Sequence, residues 1–130
     1  MTVIETSRLI LSELKTEDAA FILKLYNDRD FISYIGDKGI KSIKDAEKFI
    51  EDGPKQSYKE HRHGLYLVQL KDFTSVGICG LLKRVNLDLP DIGFAILPDF
   101  RRMRFIYEAS MAVIQDAKKR LFYDKIVAIT

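Results

Sequence analysis

The sequence predicts an α/β fold of the α+β kind: a mixed, mostly antiparallel sheet flanked by helices, with one parallel pairing. Three observations carry this. The apolar runs 64–71 and 76–83 are joined by only four residues, 72–75, and read as a hairpin. A third run, 91–97, is followed by a basic turn, an amphipathic helix to residue 121 and a last run, 125–130. That is the order of a parallel β-α-β unit, whose crossover is right-handed. Finally, two stretches beginning at Thr16 and Ser42 show helical spacing behind residues suited to N-caps.

Taken in order, residues 8–14 alternate as a strand does, with Leu9 and Leu11 on one side and Ile10 and Ser12 on the other. Thr16 is placed to cap the first helix, Glu17 and Asp18 fill its first turn, and Ile22, Leu25 and Tyr26 give its spacing up to Asn27. Residues 31–35 are a short aromatic-rich segment ended by Gly36. Ser42 opens a second helix with Asp45 three residues on, in capping-box style, and Ala46, Phe49 and Ile50 form its stripe. Gly53 and Pro54 break or kink it, and helix resumes through Tyr58 before His61. The run 76–83 is too continuously apolar for one exposed face, which predicts a central strand. A loop through Asn86, Asp88 and Pro90 leads to the strand 91–97, and Pro98 and Asp99 then break the chain. In the long helix Met111, Ile114, Ala117 and Leu121 make one apolar stripe, and Glu108, Asp116, Lys118 and Lys119 lie off it. With no repeat, low-complexity tract or linker, residues 1–130 predict a single domain.

At 47% apolar and 31% charged, the chain has the make-up of a globular domain that can bury a core without staples. Its 21 Lys and Arg nearly balance 19 Asp and Glu, so nucleic acid is not an expected partner beyond a local patch. The lone Cys79, in an apolar run, allows no intrachain disulfide and suits core packing in a reducing compartment. No apolar run approaches the ~20 residues of a membrane span. The N-terminus also lacks a basic segment followed by an apolar core. No membrane partner and a cytoplasmic location are expected.

The chemistry concentrates in the basic turn. Arg101, Arg102 and Arg104 stand where the long helix begins, between a strand and a set of backbone amides that have no intrahelical partner. Exposed cations there cost about 0.3–1 kcal/mol each. An anion among them would account for the clustering; the alternative is a turn that projects solvated side chains. His61 and His63 have no Cys or acidic residue nearby at ligand spacing, so a solvated loop is expected and no metal site. Ser33, Ser57 and Ser110 lack the glycine flanks of a nucleophile elbow, which argues against a serine hydrolase.

The segment DIGFAILPDFRRMRFIYEAS, residues 91–110, resembles the acetyl-CoA-binding segment of the GNAT superfamily of N-acetyltransferases. Within it, the likeness is to the branch that modifies ribosomal-protein N-termini and related amines. The family writes the turn as R-x-x-G-x-G/A. Arg101 matches the first position, while Arg104 and Ile106 stand where the family has Gly and then Gly or Ala. ETSRLILSEL (5–14) resembles the family's first strand, GLYLVQLK (64–71) and VGICGLLKR (76–84) its central hairpin, and KIVAIT (125–130) the strand after the long helix. The family continues with another helix and strand pair, so stopping at Thr130 implies a C-terminally incomplete domain.

The resemblance implies transfer of acetyl from acetyl-CoA, as cosubstrate, to a primary amine on a protein N-terminus or small molecule. It implies that the strands 91–97 and 125–130 splay, with the pantetheine arm entering as a pseudo-strand on the backbone of Phe94, Ala95 and Ile96. Arg101, Arg102, Met103, Arg104, Phe105, Ile106 and Tyr107 would receive the pyrophosphate, and Asp91 would take the amine proton. Asp91 could equally be a solvated strand-start residue, and Tyr107 could fill core instead of flanking the cofactor. Glu108 would complement the helix N-terminus and the arginines. Tyr26, Tyr34 and Tyr58 would line an acceptor pocket or simply pack. The missing glycines and the missing C-terminal strands leave a second class open, an inactive truncated or degenerate relative acting as a binding or structural module. A third is a phosphate-binding module for nucleic acid, which salt dependence would separate. An open edge at 125–130 would also favour a homodimer paired through it.

Overall fold

The structure, a computed structural model, describes residues 2–34, 36–82, 91–120 and 127–128. The strands are β1 (Thr2–Glu5), β2 (Leu9–Glu13), β3 (Leu65–Leu70), β4 (Ser75–Leu82), β5 (Asp91–Ile96) and β6 (Val127–Ala128), and they form one sheet in sequence order. Every neighbouring pair is antiparallel except β5 and β6, which run parallel. The helices are α1 (Ala19–Tyr26), α2 (Arg29–Tyr34), α3 (Ile43–Asp52), α4 (Pro54–His61) and α5 (Phe105–Arg120). The predicted α/β arrangement is therefore present, with β4 central. β1 is an addition to it: the opening strand is half of a hairpin, with a bulge between Thr2 and Ile4.

The alternation of the strands builds two cores. On one face Leu9, Leu11, Val68, Cys79, Leu81 and Ile92 pack against α5. On the other Leu65, Leu67 and Ile78 pack against Ile22 and Leu25 of α1 and Ala46 and Ile50 of α3. Each such fully buried Leu or Ile contributes about 1.5–3 kcal/mol, so both helix layers are held chiefly by burial. Two glycines of β4 let the sheet close up. A Cβ on Gly80 would lie 1.9 Å from the carbonyl oxygen of Gly64, and one on Gly77 2.3 Å from that of Ala95. Cys79 is buried with Sγ 3.8 Å from the Ser110 hydroxyl, and burial pushes its thiol up to about 12.

Several local expectations need correction. Thr16 does not cap α1: it lies in a 3-10 turn, Thr16–Asp18, and donates its hydroxyl to Glu51, while Asp18 accepts from the Lys15 amide. The aromatic-rich segment after residue 30 is helix α2. Ser42 does cap α3, accepting from the Asp45 amide at 3.1 Å, but the Asp45 carboxylate takes the amide of Lys41 instead of closing the box on Ser42. Pro54 starts α4 at a position where a missing N–H costs nothing.

The face of α5 is also turned. Its buried residues are Phe105, Ala109, Val113 and Ala117, whereas Met111 is 40% exposed and Ile114 only partly covered. Small Ala109 and Ala117 let the helix approach the sheet closely, and counting only large apolar side chains misses them. Leu121, the loop through Asn86, Asp88 and Pro90, and all but 127–128 of the last predicted strand lie outside the described residues, as does the proposed edge for self-association. No helix among the described residues is long and apolar enough to cross a membrane.

Candidate functional site

β5 has two different edges. Along one it pairs with β4 from Asp91 to Ile96; along the other the described ladder to β6 involves only Asp91 and Ile92. A groove of about 230 Å³ is lined by Phe94, Ala95 and Ile96 of β5, by Arg101 and Ile106, and by Asp30 and Phe31 of α2. Five of the residues expected from the sequence thus meet in one place. Asp30 and Phe31 were not anticipated.

After Leu97 a 3-10 turn, Pro98–Met103, leads into α5 through Arg104, which stands in the left-handed region at φ +62° and ψ +25°. Its carbonyl accepts the Glu108 amide at 3.1 Å, so α5 starts here and the amides of Phe105, Ile106 and Tyr107 have no carbonyl within the helix to bond. Arg102 and Met103 are exposed at the turn. The Arg104 guanidinium lies 5.0 Å from the centroid of the Tyr107 ring. Both side chains line a separate hollow of about 490 Å³ with Arg8, Glu108 and Met111, not the β5 groove. Tyr107 is 59% exposed, so it does not fill core; Phe105, at 5%, does.

The turn is pinned from below. Arg8 lies over the Phe105 ring at 4.5 Å, donates Nη2 to the Met103 carbonyl at 2.9 Å and pairs through Nε with Glu108 at 2.7 Å. Glu108 also accepts from the Thr6 hydroxyl and the Arg8 amide. Burial pushes its carboxyl up, but these bonds and the charge of Arg8 outweigh it and leave the pKa below the usual glutamate range. Glu108 therefore ties α5 to the β1–β2 hairpin, and the three arginines are not its partners. Arg101 is engaged elsewhere, with Asp28 and Asp30. These contacts span 71 to 102 positions of sequence, and no local spacing signals them.

A second cleft, of about 390 Å³, lies where α3 gives way to α4, lined by Phe49, Asp52, Glu60, His61, Leu65 and Leu82. Leu82 stands directly opposite Asp91 on β5, so both side chains point to this face of the sheet. Asp91 is 0% exposed, which excludes the solvated strand-start reading. Tyr26 and Tyr58 do not line the cleft. Tyr26 is buried against Phe31 and Phe49, and Tyr58 stacks on Tyr66 with its hydroxyl bonded to the Leu14 amide and the Leu65 carbonyl. The Tyr34 side chain lies outside the described residues. His63 is not in a solvated loop either: Arg62 ends α4 at φ +62°, which turns His63 inward to within 3.2 Å of the Leu81 carbonyl. Among the described residues no cluster of three His, Cys, Asp or Glu could hold a metal ion.

The sequence profile described as Acetyltransferase (GNAT) domain matches residues 8–130. Among solved structures, an acetyltransferase (GNAT family) from Bacillus anthracis superimposes with a TM-score of 0.77 at 20% identity, over 98% of this chain and 72% of that one. A ribosomal L7/L12 α-N-protein acetyltransferase in complex with coenzyme A gives 0.77 at 12%, over 98% and 73%. A spermidine N-acetyltransferase chimera from Vibrio cholerae and hSSAT gives 0.74 at 16%, over 94% and 70%. At such identities these likenesses establish the fold alone. No curated protein matches the sequence significantly.

Proposed function

Since the chain belongs to the acetyltransferase (GNAT) domain family, we propose that it transfers the acetyl group of acetyl-CoA to a primary amine, on a small molecule or at a protein N-terminus. The observation that carries this reading is the groove that brings Phe94, Ala95 and Ile96 of β5 together with Ile106 in the first turn of α5. A pantetheine arm is a linear chain with two amides. The backbone of Phe94, Ala95 and Ile96 can meet it as another strand would. The amides of Phe105, Ile106 and Tyr107 and the positive end of the α5 dipole suit a pyrophosphate, with Arg102 and Arg104 beside them.

In the reaction the amine nitrogen bonds to the thioester carbonyl carbon, the C–S bond breaks, and CoA leaves as the thiol. The nitrogen must lose a proton to attack. Asp91 is the candidate base, because it is buried and shares a face with Leu82 at the edge of the α3–α4 cleft, which we assign to the acceptor. Most of the rate would come from holding the two substrates together in these adjoining spaces.

Thiol release from acetyl-CoA, measured across a panel of primary amines, tests the proposal. Turnover above the amine-free rate is expected with at least one acceptor. Asp91→Asn is expected to lower turnover while CoA affinity stays within a few-fold. Equal turnover of the two proteins at every pH would remove Asp91 from the mechanism.

A further inference from the structure

The Arg101 guanidinium is held from three sides by groups of the protein itself. Nη1 donates to Asp30 Oδ2, and Nη2 donates to Asp28 Oδ2 at 3.0 Å and to the Ile96 carbonyl at 3.2 Å. The same Asp28 oxygen accepts the Phe31 amide at 3.2 Å and so caps α2. Phe31 is 6% exposed, packs on Tyr26 with ring centroids 4.3 Å apart, and forms the wall of the groove together with Asp30. Arg101 thus bolts the short α2 to the end of β5. Electrostatics argue against a second role for it. One cation shared by two carboxylates leaves an excess negative charge, which opposes a phosphate. By contrast, Arg102 and Arg104 make no ion pair with any described residue.

We propose that Asp28 and Asp30 are positioning residues that hold Arg101 as a brace, fixing α2 and Phe31 as one wall of the β5 groove, and that Arg101 itself does not bind the anionic ligand. The identity of that ligand rests on the acetyl-CoA reading above; the brace itself does not.

The two roles for Arg101 predict opposite signs. Were it a phosphate ligand, Asp30→Asn would free it and CoA would bind more tightly. As a brace, Asp30→Asn loosens the wall and weakens CoA. Arg101→Lys keeps the charge but loses the planar fork, and does the same. The double variant is no worse than either single one, because both break one contact.

The experiment combines amide exchange at Ile32 and Ser33 in the ligand-free proteins with CoA titrations at two salt concentrations. Exchange is expected to quicken about two- to fivefold in each single variant, the scale of one exposed ion pair. CoA affinity should fall by a similar factor, and in Arg101→Lys, which keeps the charge, its salt dependence should be unchanged, since no phosphate contact is lost. Tighter CoA binding in Asp30→Asn, or unchanged exchange in both variants, would overturn the brace. If no form binds CoA, the acetyl-CoA reading fails, while exchange in α2 still decides the present proposal.

Discussion

Arg104 and Ile106 occupy the two positions where the family turn carries small residues, and the structure separates what each one costs. Arg104 holds φ +62°, worth about 1–2 kcal/mol of strain for a side chain. Glycine would remove that strain but free the unfolded chain by roughly 0.4–1 kcal/mol, so Arg104→Gly should raise stability by at most about 1.5 kcal/mol. Its side chain lies toward the hollow beside Arg8, so it does not obstruct the groove. Ile106 does line the groove. Charge-assisted bonds to helix amides are worth about 1.5–3 kcal/mol each, against about 0–1 for a screened arginine contact. Arg104→Gly with Ile106→Ala should therefore bind CoA more tightly than wild type, the gain coming from Ile106→Ala. Titration of the single and double variants reads this, and weaker binding by the double variant would make the arginine the dominant ligand. Glu108 gives a second residue-scale test. Its folded pKa is depressed, so its contribution is complete above the ordinary value of 4.5 and fades as pH falls through the lower folded value. Glu108→Gln should cost about 1–2 kcal/mol at pH 7, and denaturation midpoints of the two proteins should converge once the pH falls below the depressed folded pKa of Glu108.

The elements explain which parts of the chain could be read in advance. β3, β4 and β5 were legible because their apolar runs are bounded by turn residues and their pairing is local. The register of α5 was not, because Ala109 and Ala117 carry its contact with the sheet and weigh little in a count of hydrophobic side chains. α2 was read only as a short aromatic-rich segment for a different reason: six residues are too few to show a helical stripe, and its ties are the Asp28 cap and the distant Arg101. Legibility at the site followed the same rule. The strand and turn residues were found, while Asp28, Asp30 and Arg8, which act across 71 or more positions, left no local pattern. The sheet supplies the element-scale prediction. A methyl at Gly80 meets the Gly64 backbone at 1.9 Å, whereas one at Gly93 meets side chains alone, the end of Leu82 at 3.0 Å and that of Leu65 at 3.6 Å. Gly80→Ala should cost about 3 kcal/mol or more and Gly93→Ala about 1 kcal/mol. Comparable urea midpoints for the two would refute the close approach of β3 and β4.

On the scale of the whole molecule, the sheet divides the chemistry between its faces and edges. α5 and its N-terminus lie on one face, the α3–α4 cleft on the other, and β5 belongs to both, with Asp91 at its start and the groove along its later residues. A strand so placed can present a bound thioester to an amine arriving from the opposite side. The most direct test is amide chemical-shift mapping during a titration with CoA. Saturable binding tighter than about 1 mM, with the largest shifts at Phe94, Ala95, Ile96, Phe105, Ile106 and Tyr107, is the predicted result. No saturation in the millimolar range, or shifts centred on the hollow around Arg8 and Met111, would contradict it.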